Sequence, residues 1–112
     1  MTDTLFVLPR RFDDGGTAYF CPFSAQVIGF LTYFPEVRDT LQVVELGFPR
    51  PRMPIIELVG EAHQGMPLLV LGGTPTAVPG VTVEQANDRH FVKNAIAIIR
   101  YLAATRGVPL PH

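Results

Sequence analysis

Two hydrophobic periods alternate along the chain. Thr4 to Pro9, "TLFVLP", is a short apolar run stopped by proline and predicts a buried strand. "RRFDDGGTAY" follows, and its charges and paired glycines predict a loop. From Pro22 the period lengthens. Phe23, Val27, Phe30 or Leu31, and Phe34 fall on one helical face. Pro22 suits the first helical position, where its missing N–H costs nothing, and Pro35 ends or resets the helix. Leu41 to Phe48, "LQVVELGF", is rich in β-branched and aromatic residues and predicts a second strand.

The second half carries more punctuation. "PRPRMP" (Pro49 to Pro54) excludes regular structure, and "PIIELVG" predicts a short helix from Pro54 to Gly60. "MPLLVL" (Met66 to Leu71) predicts a third strand, and "GGTPTAVPG" a run of turns. "VTVEQAN" fits either an extra strand or an extended loop. After an Asn87-Asp88 turn, Arg89 to Val92 predicts the fourth core strand. The last helix is expected from Asn94, a good N-cap, to Arg106, before Gly107 and Pro109. Ile96, Ile99 and Leu102 or Ala103 are expected against the sheet. Ile98 and Tyr101 would then form an outer face, open to a homodimer contact or wedged inside the domain. The first two strands flank a helix and predict a right-handed parallel unit. The last two predict an antiparallel pair. The expected fold is a single α/β domain over 1–112, with a four-stranded mixed sheet in the order 2-1-3-4 and helices on its faces.

A chain of 112 residues buries enough surface to fold without a disulfide or metal. Its one cysteine, Cys21, cannot form an internal bridge, which suits a reducing cytoplasm. The formal net charge is -1, from 9 basic and 10 acidic residues, and no basic stripe occurs, so nucleic acid is not an expected partner. No run approaches the ~20 apolar residues of a membrane helix. The apolar start is too short for a signal peptide and lacks its basic leader. His63, His90 and His112 show no metal-ligand spacing, so no metal is expected.

The chemistry centres on "YFCPFSAQVIGF", from Tyr19 to Phe30. Cys21 falls just before the first predicted helix, whose N-terminal N–H groups and dipole favour a thiolate over a thiol. The opposite reading is a small apolar residue filling the core. Arg10 and Arg11 leave the first strand near the thiol and are candidates to hold a ligand carboxylate. Arg50 and Arg52 stand ready for the same task from the other side, and His63 is a weaker candidate base.

Three segments carry a resemblance. "CPFS" (Cys21 to Ser24), "QGMPLLVL" (Gln64 to Leu71) and "AIAIIRYLA" (Ala95 to Ala103) resemble the thioredoxin-like superfamily, nearest to glutaredoxins and the N-terminal domain of glutathione transferases. "FCPFSA", "FPRPR" and "QGMP" together resemble a bacterial family of uncharacterised thioredoxin-like proteins. The resemblance covers nearly the whole chain and implies a thioredoxin-like fold. It casts Cys21-Pro22-Phe23-Ser24 as a monothiol motif with Ser24 in the resolving position, its hydroxyl turned to the thiolate. It also implies a cis bond before Pro67, with the Met66 N–H and C=O free to align a peptide-like thiol, and it brings in Gln64. Glutathione is then the candidate co-substrate.

Two departures qualify the likeness. Asn94-Ala95 stand where transferases place an acidic residue and a serine to hold the γ-glutamyl group. A chain of this length also leaves no room for the transferases' helical second domain, so full transferase activity is not expected. Two functions remain open. In one, Cys21 is the nucleophile of a thiol-disulfide oxidoreductase or thiol-binding protein. In the other, the chain is a non-catalytic binding module or dimer with an inert Cys21.

Overall fold

Leu5 and Val7 point to one side of strand β1 (Asp3–Val7) and Phe6 to the other, and all three are buried. A strand covered on both faces belongs in the middle of a sheet. The computed structural model, which describes residues 2–112, places it there. Strand β4 (Leu41–Glu45) runs parallel to β1, in register from Asp3 with Leu41 to Val7 with Glu45. On the other side β5 (Leu68–Val70) pairs antiparallel with β1, and β7 (Arg89–Lys93) antiparallel with β5.

The expected order 2-1-3-4 is present as β4-β1-β5-β7, but the sheet has five strands, not four. Strand β6 (Glu84–Ala86) closes the edge against β7. It lies within "VTVEQAN", whose two readings the structure resolves in favour of a strand. Asn87 (φ 52) and Asp88 (φ 59) both take left-handed backbone between the two strands, the geometry a two-residue hairpin requires. Three residues are too few to show a period of two.

The expected loop after β1 also contains structure. Strands β2 (Phe12–Asp14) and β3 (Thr17–Tyr19) form a separate hairpin around Gly15 and Gly16, both at positive φ. Its residues are almost all exposed, so no apolar alternation marks it. Phe12 anchors it by stacking on Phe48, with ring centroids 4.6 Å apart.

Helix α1 (Pro22–Tyr33) begins at the expected proline, and Pro35 starts a further short helix, α2 (Pro35–Arg38). With α4 (Ala95–Arg106) they cover one face of the sheet, around Leu5, Val7, Leu69 and Val92. Helix α3 (Met53–Val59) covers the other, where Ile55 and Val59 meet Phe6, Leu68, Val70 and Phe91. A 3-10 turn, Glu61–His63, follows α3. No helix among the described residues is long and apolar enough to cross a membrane.

The faces of α4 differ from expectation. Ile98 and Tyr101, assigned to an outer face, are buried within the chain, and Ile96, assigned to the sheet, is 47% exposed. The turn-rich segment before β6 lies over the helix. The Thr76 N–H donates to the Tyr101 hydroxyl at 3.2 Å, and Val78, Val81 and Val83 pack against the same core. The chain thus covers with its own residues the face that the sequence offered to a second copy.

One ion pair ties the ends of the fold together. Arg106 donates to Asp3 at 2.9 Å, and the other Asp3 oxygen accepts the Gly72 N–H at 2.8 Å. Both side chains are less than a fifth exposed. Asp3→Ala is expected to lower stability by about 1–2 kcal/mol in urea unfolding. Asp3→Asn, which keeps the acceptor for Gly72, should lose roughly half as much.

Candidate functional site

Cys21 is the N-cap of α1. Its backbone is extended (φ −85, ψ 113), its carbonyl accepts the Ala25 N–H, and its Sγ accepts the Ser24 N–H at 3.4 Å. This is the position where side-chain acceptors satisfy a helix's unpaired donors, a place usually held by Ser, Thr, Asp or Asn. The residue is partly exposed, which sets aside the reading of a cysteine sealed in the core.

Ser24 makes a different contact from the one expected of it. It is 3% exposed, and its Oγ accepts the Leu8 N–H at 3.1 Å. The hydroxyl therefore fastens the first turn of α1 to the segment leaving β1. The hydrogen bond to sulfur comes from the Ser24 backbone N–H. A hydroxyl turned to the thiolate is replaced by an amide that any residue except proline would supply.

The first turn of α1 separates two clefts. The larger, about 720 Å³, lies between α1 and β4 and has Cys21, Ser24 and Arg10 in its wall. The other, about 330 Å³, joins Met66, Pro67 and Asn94 to Phe23 and Gln26 of α1. The Met66–Pro67 bond is cis, and so is Arg50–Pro51. Asn94 is exposed at φ 77 as the N-cap of α4, and its side chain makes no capping bond. The predicted residues thus fall on two sides of the helix end. Cys21, Ser24 and Arg10 share one cleft, while Met66, Pro67 and Asn94 share the other. Pro22 lies at the exposed start of α1. Arg11 lies in neither wall; it reaches Asp13 of the hairpin at 3.6 Å, with both side chains mostly exposed.

Gln64 is buried and committed. Its Oε1 accepts the Arg52 N–H at 2.8 Å and its Nε2 donates to the Glu61 carbonyl at 3.0 Å. Arg52 is 7% exposed and donates through its two terminal nitrogens to the carbonyls of Gln64 (2.8 Å) and Phe48 (2.7 Å). Its Nε is buried without a hydrogen-bond partner. Burial pushes the guanidinium below its ordinary value, Arg50 adds to that by repulsion, and the charge of a Cys21 thiolate opposes it. A buried cation within electrostatic reach of the sulfur is the feature that sequence reasoning placed least well. Its one signal is an arginine held between prolines in "FPRPRMP". Arg38 and Glu45, also in the wall of the larger cleft, carry no sequence signal at all.

His63 packs its ring on Phe91, with centroids 4.8 Å apart, and no hydrogen bond links it to Cys21. Among the described residues no group of three His, Cys, Asp or Glu side chains could hold a metal ion. Tyr19, Phe20 and Phe23, which flank Cys21 in the chain, are each at least half exposed.

Fold and site together define a mixed α/β protein with a partly exposed thiol at a helix N-cap, beside an open cleft and near a buried arginine. The chain belongs to the family described as "Protein of unknown function (DUF3088)", whose model matches residues 2–110. No curated protein and no solved structure matches it.

Proposed function

We propose that this is a thioredoxin-like monothiol protein in which Cys21 acts as nucleophile or thiol-binding centre toward a small thiol or disulfide. The strand order β4-β1-β5-β7 and the cysteine at the start of the first helix support the fold reading. One observation carries the functional reading: Cys21 Sγ accepts a backbone N–H in the first turn of a 12-residue helix, at the wall of an open cleft. Helix N-termini are a recurrent position for reactive cysteines.

With one cysteine in the chain the cycle needs external thiols. The Cys21 thiolate attacks a disulfide, forms a mixed disulfide and releases the other half as a thiolate. A second external thiol then attacks the mixed disulfide and returns Cys21 to its reduced form. Glutathione is the candidate partner, and a reducing compartment such as the cytoplasm suits the cycle.

Glutathione disulfide at neutral pH is expected to add one glutathionyl group, mapped to Cys21 by mass spectrometry. Iodoacetamide should alkylate Cys21 on the order of tenfold faster than free glutathione. A chain that gains no adduct and alkylates no faster than the free thiol would leave the competing reading, a binding module with an inert cysteine.

A further inference from the structure

The larger cleft has a direction. Cys21, the N-cap, and Ala25, Ile28, Gly29 and Thr32 of α1 lie in one stripe that spans twelve residues, or roughly 16 Å. Val43 and Glu45 face them from β4, two residues apart and so on one side of the strand. The register places Glu45 beside Val7, near Leu8 and Pro9 at the Cys21 end. Arg38 ends α2 and precedes β4, so it stands at the far end.

Charge is distributed unevenly along this length. At the Cys21 end Arg10 and Glu45 offer both signs. The middle is apolar: Ala25, Ile28, Gly29 and Val43. The far end has one charged lining residue, Arg38, whose side chain makes no ion pair or hydrogen bond among the described residues. Gly29 opens the middle, since a Cβ built on it meets no atom within 4 Å. The volume, about 720 Å³, lies within the range of small-molecule sites.

We propose that this cleft is the substrate site of Cys21 and takes a disulfide of an elongated amphipathic carboxylate, with its sulfur at Cys21, its apolar body along Ala25, Gly29 and Val43, and its carboxylate at Arg38. The assignment rests on the nucleophile reading of Cys21. It places the substrate on the β4 side of the helix end, away from Met66 and Pro67. The chemistry is an exchange. A Cys21–sulfur bond forms as the substrate's S–S bond breaks, and the released half leaves as a thiolate that takes a proton from water. Cys21 is oxidised and the leaving sulfur reduced.

The test uses a maleimide on a long alkyl chain ending in a carboxylate, against the same maleimide ending in a neutral amide. The acid should label Cys21 about fivefold faster, the gain of one solvent-facing ion pair. Arg38→Ala should bring the ratio to about one, and Gly29→Phe should slow both long probes severalfold. Neither variant should change the rate with iodoacetamide, which needs no cleft. Equal rates for acid and amide, or a preference that survives Arg38→Ala, would overturn the assignment and leave the nucleophile reading standing. The two ideas separate further in Cys21→Ser. Dodecanoate should bind that variant and bind more weakly when Arg38→Ala is added, whether or not the native thiol reacts. No dodecanoate binding in the Cys21→Ser protein counts against the cleft alone.

Discussion

Cys21→Ser is expected to abolish mixed-disulfide formation and at the same time to make the protein more stable. The two effects have different origins. Without sulfur there is no nucleophile, so intact mass after glutathione disulfide treatment should show no adduct. The position itself, however, is an N-cap in extended backbone with a side chain accepting the Ser24 N–H at 3.4 Å. A hydroxyl oxygen is a stronger acceptor than sulfur and reaches the same donor, and serine is among the preferred residues there. The urea midpoint should rise by the equivalent of about 0.5–1 kcal/mol. Cys21→Ala, which has neither sulfur nor acceptor, should lose the adduct and fall slightly below the native protein. A residue whose replacement improves folding while removing chemistry is kept for the chemistry. If Cys21→Ser instead destabilises by more than the alanine variant, the sulfur serves packing and the functional reading fails.

Arg52→Ala should produce the largest loss of stability, about 2–4 kcal/mol. The guanidinium donates to the Gln64 carbonyl at 2.8 Å and the Phe48 carbonyl at 2.7 Å, and its backbone N–H reaches Gln64 Oε1. Removing the side chain leaves two carbonyls without their donor and loosens the strip from Phe48 to Gln64. That strip carries the Phe48 ring on which the hairpin's Phe12 stacks, and the hairpin leads into Cys21. The variant should therefore also alter the rate at which Cys21 is alkylated, because the hairpin leading into Cys21 has lost a firm support. Arg52→Lys keeps the charge but not the two-pronged donor, so it should recover only part of the stability. Arg50→Ala, at an exposed position, should change stability by less than about 0.5 kcal/mol. Urea unfolding and alkylation rates on the same four proteins decide between these outcomes.

Much of the fold was legible because its signals are local and repeated. Three of the core strands follow from apolar runs bounded by Pro or Gly and the fourth from the Asn87-Asp88 turn, and α1 and α4 follow from helical spacing and their stops. The hairpin β2-β3 reads as a loop and β6 stays open between strand and loop, because each strand has three residues and too little burial to show a hydrophobic period. The faces of α4 were misassigned for another reason. Ile96, Ile98 and Ile99 are alike in composition, and only the valines of the segment before β6 decide which are covered.

The sequence by itself determined where the four core strands lie along the chain and the place of Cys21 at the start of α1, because periodicity and proline positions act within a few residues. The tertiary structure alone decided what surrounds that sulfur. It turned the Ser24 hydroxyl to Leu8, 16 positions away, buried Arg52 against Gln64, and set Arg38 and Glu45 into one wall with Cys21. Those pairings depend on which elements the sheet brings side by side, and no spacing along the chain records them.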